Sequence, residues 1–530
     1  MSVALPDIDA FYPEVLKSLT LGLLEENARL TAENEHLRDE VARLQGLKGK
    51  PAIKPSVPSG MEPATEKASR QGQREKRRRG VKRPTVSVEE QVIAAVDVPA
   101  GSQFKGYEDF TVQDLKIEPR VVCYRRERWL TPEGETVVAP LPGGISDHFG
   151  PELKRFILSQ YHQGQTTVPR LVDFLQMLGV DISKRQVVRL LTAGQDLFVS
   201  EAQDVLRAGL EHGSWISVDD TGARHQGKNG VCTQIGNDAF TFFATTGSKS
   251  RSNFLELLRA GYPDHVLNDD AFAYMRERHL AQYIIDRLAA HPARQFADTE
   301  AWKAHLDGLG ISELKVSPNP VTIATEGSLW GAVISHGFLK NTVILSDDAG
   351  QFNVGTHALC WVHAERLVHK LDAFTAAART AKDTVRSQIW SFYADLKAYR
   401  AAPEPRCKAD LETQFERIFQ TKTGFATLDR LLARLYANRE ELLRVLDHPD
   451  IPLHTNGSEN DIRCQVIRRK ISGTTRSDGG RQGRDTFLGL AKTCFKLDVP
   501  FWEYLGSRLG AAVKAITPPL PELVKARCRA

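Results

Sequence analysis

Two apolar stretches that each end in a pair of aspartates decide how this chain is interpreted: Trp215-Ile216-Ser217-Val218-Asp219-Asp220 and Val343-Ile344-Leu345-Ser346-Asp347-Asp348. Short apolar runs of this kind predict buried strands, so each aspartate pair is expected at a strand tip. A third acid follows in Asn456-Gly457-Ser458-Glu459, which is typical of the start of a helix. Carboxylates held close together need a cation, which is the logic of a divalent-metal site acting on phosphate. Aspartate at a strand end is also ordinary turn chemistry, and for either strand alone that interpretation is the better one.

The segments around these acids predict a mixed α/β domain. A meander of short-looped strands at 215–220, 230–236 and 239–245 carries the first pair, and a strand at 342–347 carries the second. Another strand at 357–360 precedes a long helical region and the helix with Glu459. This order predicts an RNase H-like catalytic core, in which a mixed sheet is flanked by helices and interrupted by helical insertions. Adjacent strand residues point to opposite faces, so only one acid of each pair can share a site.

The N-terminal segment carries five leucines spaced seven residues apart: Leu16, Leu23, Leu30, Leu37 and Leu44. With the leucines at d positions, Asn27 and Asn34 occupy a positions, which favours a parallel two-stranded coiled coil. We therefore expect a homodimer or higher oligomer formed through residues 16–44. A lone amphipathic helix packed on the body of the protein is the alternative.

The segment that follows the leucines is strongly basic. Residues 45–85 contain twelve Lys or Arg and three Glu, in a chain whose formal net charge is only +4. The segment lacks apolar periodicity, so a flexible linker is expected. Its cations could neutralise DNA phosphates, or the segment could be a solvated tether that binds nothing specific.

A pattern typical of a helix-turn-helix occupies residues 167–192. One helix is predicted at 167–178, and Ser183 with Gln186 three residues later predicts a capping box that starts the second. The exposed side of the second helix is expected to present basic residues to DNA. These residues are Lys184, Arg185 and Arg189. Many unrelated helical hairpins share the pattern, so a purely structural hairpin is the alternative.

Together these patterns divide the chain into six segments. They are a coiled-coil dimerisation segment at 1–47, a basic flexible linker at 48–85, a small β-rich module at 86–150, a helical region resembling a helix-turn-helix at 151–205, the catalytic core at 206–490 with helical insertions at about 262–340 and 364–446, and a C-terminal helical segment at 491–530. None of the seven cysteines forms a C-x-x-C pair, and no stretch approaches the roughly 20 apolar residues of a membrane span. A soluble cytoplasmic protein that does not contact the membrane is expected.

The chain resembles the DDE transposases of the insertion sequence 66 family over most of its length. The motifs that carry the resemblance are Val218-Asp219-Asp220-Thr221, Leu345-Ser346-Asp347-Asp348-Ala349-Gly350, Cys360-Trp361-Val362-His363-Ala364-Glu365-Arg366 and Asn456-Gly457-Ser458-Glu459-Asn460-Asp461-Ile462-Arg463, extended by Arg468-Arg469-Lys470. The resemblance implies a transposase that binds the ends of an insertion sequence and catalyses metal-dependent DNA cleavage and strand transfer. Its expected partners are transposon-end and target DNA, with accessory proteins encoded by the element as a further possibility.

The same resemblance implies that Asp219, Asp347 and Glu459 are the catalytic acids and ligands of two Mg²⁺ ions, with Mn²⁺ as an alternative metal. We take the first acid of each pair because the family motif aligns there. The second acids, Asp220 and Asp348, are expected to cap the turns that follow.

Two further sets of residues are assigned to the site. Cys360 and His363 form a C-x-x-H pair of the kind that many DDE transposases carry, and they are assigned an auxiliary role. A zinc site would need two further ligands nearby, and a buried cysteine beside an oriented histidine is the simpler interpretation. The other cations expected to contact DNA are Lys249, Arg251, Arg463, Arg468, Arg469, Lys470 and Arg476. Arg463 could instead balance the charge of the acids.

Two other functions are compatible with the sequence. A dimeric DNA-binding regulator could keep the RNase H-like fold as a scaffold, but it would have no need of all three acids. A nuclease of the same fold could cleave DNA without strand transfer. Many family members carry paired cysteines after the coiled coil, whereas Cys123 is the single cysteine in that neighbourhood here, so metal-bound DNA reading by this module is not expected.

Overall fold

The computed structural model describes residues 18, 20–27, 29–30, 33, 89–142, 145 and 147–529. The strands in these ranges are β1 (Arg128–Leu130), β2 (Thr136–Val138), β3 (Trp215–His225), β4 (Lys228–Gly236), β5 (Thr241–Thr246), β6 (His265–Val266), β7 (Gln295–Phe296), β8 (Val343–Ser346) and β9 (His357–Leu359). The α-helices from residue 147 onward are α1 (Pro151–Leu158), α2 (Val168–Met177), α3 (Lys184–Thr192), α4 (Asp196–His212), α5 (Arg251–Leu258), α6 (Asp269–Glu277), α7 (Gln282–Ala290), α8 (Thr299–Gly308), α9 (Pro320–Ser335), α10 (Trp361–His369), α11 (Ala376–Ala401), α12 (Pro405–Phe419), α13 (Ala426–Ala437), α14 (Arg439–Leu442), α15 (Asn456–Ser472), α16 (Asp478–Lys496), α17 (Phe501–Leu509) and α18 (Leu520–Arg529).

A five-stranded mixed sheet in the order β5-β4-β3-β8-β9 forms the centre of the fold. β3, β4 and β5 make an antiparallel meander, and β8 and β9 run parallel to β3 and to each other. All four residues of β8 are buried, as expected for a parallel strand covered on both faces. The mixed α/β class and the strands predicted around both aspartate pairs are therefore confirmed.

The first aspartate pair lies in the middle of its strand, and the prediction that it ends the strand is wrong. β3 continues for five residues beyond Asp220 because it pairs with β4 as far as His225 opposite Lys228. Gln226 and Gly227 link the two strands with φ values of 50° and 78°. Two-residue hairpin turns of this type need positive φ at both positions, so the turn chemistry extends the strand.

Alternate residues of the central strands face two different hydrophobic cores. Ile216, Val218 and Ile344 belong to a core that also contains side chains of α4 and α16–α18. Val343 and Leu345 belong to a second core built from α10–α14. Because side chains alternate along a strand, a residue's position in β3 or β8 determines which layer it faces.

The insertion at 262–340 has its own core around Trp302. It contains α6–α9, as expected for a mostly helical region, and also the two-stranded sheet β6–β7. The buried Glu326 of α9 ties this insertion to the central domain, since it accepts hydrogen bonds from Tyr274 (2.9 Å) and from Ser252 of α5 (3.3 Å).

The region before the core contains little regular structure. Between residues 89 and 142 the only strands are β1 and β2, whose residues are all exposed, so the expected β-rich module is reduced to a hairpin there. Residues 20–27 and 29–30 are helical, and Leu23 and Leu30 are exposed. The other three heptad leucines and the linker at 48–85 lie outside the described residues.

The helical hairpin predicted at 167–192 is present as α2 and α3. Ser183 Oγ accepts the Gln186 backbone N–H at 3.3 Å, and the Gln186 side chain accepts the Ser183 N–H at 2.7 Å, so the predicted capping box is confirmed. At the other end of the core, the boundary expected at 490/491 falls inside α16. Across the ranges that the structure describes, no helix has the length and apolar character needed to cross a membrane.

Candidate active site

The pairing of β3 with β8 aligns the first acids of the two pairs. Ser217 lies opposite Leu345 in the parallel register. Two residues further on, the same register brings Asp219 level with Asp347 on the same face of the sheet. Asp220 points to the opposite face.

Helix α15 brings the third acid to this face. Ser458 Oγ donates to Ser217 Oγ at 2.5 Å, and both serines are buried. Ser217 shares the face of Asp219, and Ser458 directly precedes Glu459. The contact therefore places the first turn of α15, with Glu459, over the side of β3 that carries Asp219.

The three acids influence one another electrostatically. Burial raises the pKa of Asp219 to about 7. A hydrogen bond from the Asp220 backbone N–H, at 2.7 Å, opposes this rise, while the negative charges of Asp347, Asp220 and Glu459 add to it. The pKa of a buried carboxyl rises in this way because neighbouring negative charges disfavour its ionised form.

This group of acids has the chemistry of a divalent-metal site, although the ligands are not yet gathered. In the described ranges no three His, Cys, Asp or Glu side chains are arranged to hold a metal ion. Hard oxygen donors suit Mg²⁺ and Mn²⁺, and a cation would relieve the repulsion that raises the pKa of Asp219. A metal site built from Asp219, Asp347 and Glu459 would require these carboxylates to lie closer together than they do here.

Glu459 is held by two cationic side chains of α10. Arg366 Nη1 donates to Glu459 Oε1 at 3.0 Å, and His363 Nε2 lies 3.6 Å from the same oxygen. Arg366 stands one helical turn after His363, so both side chains reach Glu459 from one face of α10. The sequence analysis assigns Arg366 no role. Its position three residues after His363 was a signal that both side chains lie on one face of the helix.

Cys360 and His363, the C-x-x-H pair, contact the start of α15. The backbone N–H of Thr455, the N-cap residue, donates to Cys360 Sγ at 3.4 Å, and Thr455 Oγ1 lies 3.5 Å from His363 Nδ1. Burial lowers the pKa of His363, but the nearby Cys360, Glu459 and Asp347 outweigh this effect. The net result is a pKa raised to about 9. Burial raises the pKa of Cys360, and His363 outweighs that effect, so the thiol pKa is lowered. The pair therefore links α10 to the N-cap of α15 beside Glu459.

The second acid on β3, Asp220, is bound by side chains from two loops. Lys249 pairs with Asp220 Oδ1, and Gln351 Nε2 donates to Oδ2 at 2.8 Å. The Asp220 side chain is only 7% exposed. It lies within a strand, so the expectation that Asp220 caps a turn is wrong.

The second acid after β8, Asp348, points away from the site. It pairs with Arg434 of α13, and its side chain is 34% exposed. The turn that follows β8 is capped by the first acid, since the Ala349 N–H donates to Asp347 Oδ1 at 3.2 Å. The expectation of a capping Asp348 is therefore also wrong.

The predicted DNA contacts differ in exposure and in the partners that they already have, and Lys249 is exposed although it pairs with Asp220. The exposed ones are Lys184, Arg185, Arg189, Lys249, Arg463, Lys470 and Arg476. Arg251 donates to the Gly350 carbonyl at 2.6 Å and lies 3.6 Å from the buried Glu326. Arg469 is half-buried and donates to Thr221 Oγ1 at 3.4 Å.

Arg468 departs most from expectation. It is 1% exposed, its guanidinium lies 3.8 Å from the centre of the Tyr161 ring, and Nη1 donates to the Thr166 carbonyl at 3.4 Å. A side chain packed in this way cannot reach a phosphate, so the predicted DNA contact is wrong for Arg468. Helical periodicity was the missed signal, because the buried polar residues of α15 recur every three or four positions: Ser458, Asp461, Gln465 and Arg468.

Comparison with known proteins adds to this geometry. A family model described as Transposase IS66 family matches residues 335–483, a span that contains Asp347, His363 and Glu459 but not Asp219. Uncharacterized protein y4jO of Sinorhizobium fredii (strain NBRC 101917 / NGR234) is 49% identical over 323 residues, which are 61% of this chain and 100% of that protein. Cysteine synthase 2 of Schizosaccharomyces pombe is 23% identical over 269 residues, which are 46% of this chain and 67% of that protein. That last identity is too low to support an argument about function.

Proposed function

The chain belongs to the IS66 family of transposases, and from this premise we propose that it binds the ends of an insertion sequence and catalyses DNA cleavage and strand transfer. The observation that carries the proposal is the electrostatic grouping of three acids from three separate elements. Asp347 and Glu459 both add to the rise in the pKa of Asp219. A protein that only bound DNA would gain nothing from such a repulsive cluster, whereas metal-dependent phosphate chemistry uses it.

The proposed catalytic core is RNase H-like. Support comes from the order β5-β4-β3-β8-β9, in which an antiparallel meander adjoins two parallel strands. The acids lie in β3, directly after β8 and in the first turn of α15. These positions of the acids support the proposal.

The residues that would hold Mg²⁺ or Mn²⁺ are Asp219, Asp347 and Glu459. When bound, such ions stabilise charge on the attacking and leaving oxygens of a phosphodiester. The chain's own contribution is positional: Arg366 orients Glu459 through Oε1, and Cys360 fixes the start of α15 through the Thr455 N–H. Lys249 and Gln351 hold Asp220 on the other face of β3.

The proposed reaction has two steps, a hydrolysis and a transesterification. In the first, a water oxygen forms a bond to phosphorus at the element end, the P–O3′ bond breaks, and a free 3′-hydroxyl and a 5′-phosphate result. In the second, that 3′-oxygen attacks a target phosphodiester and displaces the target's own 3′-oxygen, which leaves as a hydroxyl. One P–O bond forms for each that breaks, so neither an energy source nor a covalent protein–DNA intermediate is needed.

DNA binding and oligomerisation complete the proposal. The exposed cations of α3 and α15 would contact the phosphates of transposon-end and target DNA. Self-association through residues 16–44 would bring two element ends together, and sedimentation of the full chain against a chain that lacks these residues tests this part.

The decisive experiment uses purified full-length protein, a labelled duplex from the element end and a plasmid target, with Mg²⁺ or with EDTA. We expect Mg²⁺-dependent cleavage and joining that Asp219→Asn and Glu459→Gln both abolish while DNA binding is retained. Cleavage and joining by both variants would contradict the assigned triad. DNA binding without cleavage by the wild type would support a regulator, and cleavage without joining would support a nuclease.

A further inference from the structure

A small cleft opens on β3 just beyond the acids. It lies between the distal half of β3, the end of α15 and the start of α16. The side chains that form it include Thr221, Arg224, Arg469, Thr475 and Arg484, with Gly222 at its edge. The loop after α15 closes one side, because Thr475 pairs with the end of β3 through the Arg224 carbonyl at 3.1 Å.

The cleft concentrates three guanidinium groups that form no direct ion pair among the described residues. Among the described residues, no carboxylate lies within 4.0 Å of the guanidinium of Arg224, Arg469 or Arg484. The hydrogen bonds that these groups make go to neutral acceptors: Arg224 to the Gly227 carbonyl (2.9 Å), Arg469 to Thr221 Oγ1 (3.4 Å) and Arg484 to Ser472 Oγ (3.2 Å). Three guanidinium groups around one opening constitute a site for an anion.

Two further observations describe the surroundings of these cations. Burial lowers the pKa of Arg484, and the like charge of Arg468 lowers it as well, while Tyr161 and the carboxylate of Asp485 act in the opposite direction. The buried Nε of Arg224 makes no hydrogen bond with the described residues. The nearby Asp485 is directed elsewhere, since its carboxylate accepts from the Thr245 N–H at 2.8 Å and from Gln465 at 3.1 Å.

The size and chemistry of the cleft select the anion. Its volume is about 10 Å³, which is close to the least that holds one water-sized group. A single oxygen of a larger anion can therefore enter while the rest stays at the mouth. Guanidinium groups bind phosphate with paired, charge-assisted hydrogen bonds, and the hydroxyls of Thr221 and Thr475 can add neutral donors.

The position of the cleft relates it to the reaction. Thr221 and Asp219 lie on the same face of β3, and two strand residues span roughly 7 Å. We propose that the cleft binds a backbone phosphate of the DNA strand that is cleaved, next to the scissile phosphate. This inference rests on the proposed function, but it concerns binding and can fail or succeed separately from catalysis.

The test measures DNA binding in EDTA, so that no cleavage takes place. A labelled duplex from the element end is titrated with wild-type protein, Arg484→Gln, Gly222→Val and the control Arg527→Gln, which removes an exposed charge on α18. A Cβ at position 222 would lie 3.3 Å from Arg469 Nη1, so Gly222→Val obstructs the cleft without removing charge. Each titration is repeated over a range of salt concentrations.

We expect Arg484→Gln and Gly222→Val to weaken binding about tenfold, and Arg484→Gln to reduce the salt slope by about 1, as for one lost phosphate contact. Arg527→Gln should bind like the wild type. In the wild type, one neutral methylphosphonate beside the cleavage position should cost a similar factor, and this cost should vanish in Arg484→Gln.

If both cleft variants bind DNA with the affinity and the salt slope of the wild type, the proposal is overturned. The cleft would then be a site for structural water only. The methylphosphonate scan on wild-type protein decides the matter even if a variant fails to fold, because a scan without any position-dependent loss also overturns it. If the cleft substitutions weaken DNA binding but the wild type never cleaves DNA, the proposed function is refuted and the phosphate site is not. If the wild type cleaves and joins DNA but the cleft substitutions leave binding unchanged, only the phosphate site is refuted.

Discussion

The two aspartate pairs are identical in sequence but occupy different environments. Asp220 is 7% exposed and is held in the middle of β3 by Lys249 and Gln351, whereas Asp348 is 34% exposed and pairs with Arg434 outside the sheet. The difference arises because β3 continues through a hairpin to His225, while β8 ends before the pair begins. A dipeptide's role therefore depends on where its strand ends and not on its own chemistry.

The first acids lie in and directly after neighbouring strands on one side of the sheet, and this position defines the candidate site. Asp219 and Asp347 share a register and a face, and Glu459 arrives on the helix that covers that face. The second acids each have a basic partner of their own. The same substitution should therefore affect activity differently when it is made in a first acid and when it is made in a second acid.

The largest expected difference is between Asp219→Asn and Asp348→Asn. Asp219→Asn should lower the rate of DNA cleavage by at least a factor on the order of 10²–10³, the range for losing a group that stabilises transition-state charge. Asp348→Asn should change it little, because it alters an exposed ion pair. Single-turnover cleavage of the labelled duplex measures both, and equal losses in the two variants would show that the site includes both acids of the second pair.

The same Asp219→Asn variant should be more stable than the wild type, with a dependence on pH. An acid whose pKa rises from 3.8 to about 7 on folding binds more protons in the folded state, so stability falls as pH rises from about 4 to about 7. Removing the group abolishes this loss, which corresponds to at most about 4 kcal/mol above pH 7 and disappears below pH 4. Thermal unfolding in EDTA at pH 5 and pH 8 checks the sign, and a larger gain at pH 5 would contradict the assigned cause.

Sequence reasoning identified the elements that carry the acids because local patterns specify them. The apolar runs became β3 and β8, the capping box of Ser183 and Gln186 formed, and α15 starts at Asn456 as expected. The length of β3 was missed, since the polar residues after Asp220 carry no apolar signal. Pairing with β4 and the Gln226–Gly227 turn, which are not local to the acids, extend the strand.

The contacts around the acids could not be read from the sequence because their partners are distant in the chain. Arg366 is 93 residues from Glu459, and Gln351 is 131 residues from Asp220. The sequence predicted DNA contact for Arg468 and Arg251, but packing places Arg468 against Tyr161 and Arg251 beside Glu326. A basic side chain near the site therefore needs its burial to be known before it is assigned to DNA.

A smaller effect is expected from the side chain that orients the third acid. Arg366→Ala should reduce cleavage about 10–100-fold, the usual cost of losing a partner that orients a metal ligand. Because Arg366 acts through Glu459, the Mg²⁺ concentration needed for half-maximal cleavage should rise, and Arg366→Lys should restore part of the activity. Metal titration of cleavage, with circular dichroism to check folding, distinguishes this role. A reduced maximal rate at unchanged Mg²⁺ requirement would argue against orientation of Glu459.

The smallest effects separate the partners of the two second acids. Lys249→Ala should destabilise the protein by about 1–3 kcal/mol, because it leaves a buried carboxylate with fewer hydrogen-bond partners. Arg434→Ala removes the partner of an exposed acid and should cost about 0–1 kcal/mol. Urea unfolding measures both, and 1 M salt should remove most of the Arg434 contribution, since the screening length is then about 3 Å. The buried Asp220 is shielded from salt, so the stability contributed by Lys249 should persist in 1 M salt. If that contribution also vanished, Asp220 and Asp348 would not differ in burial as the fold implies.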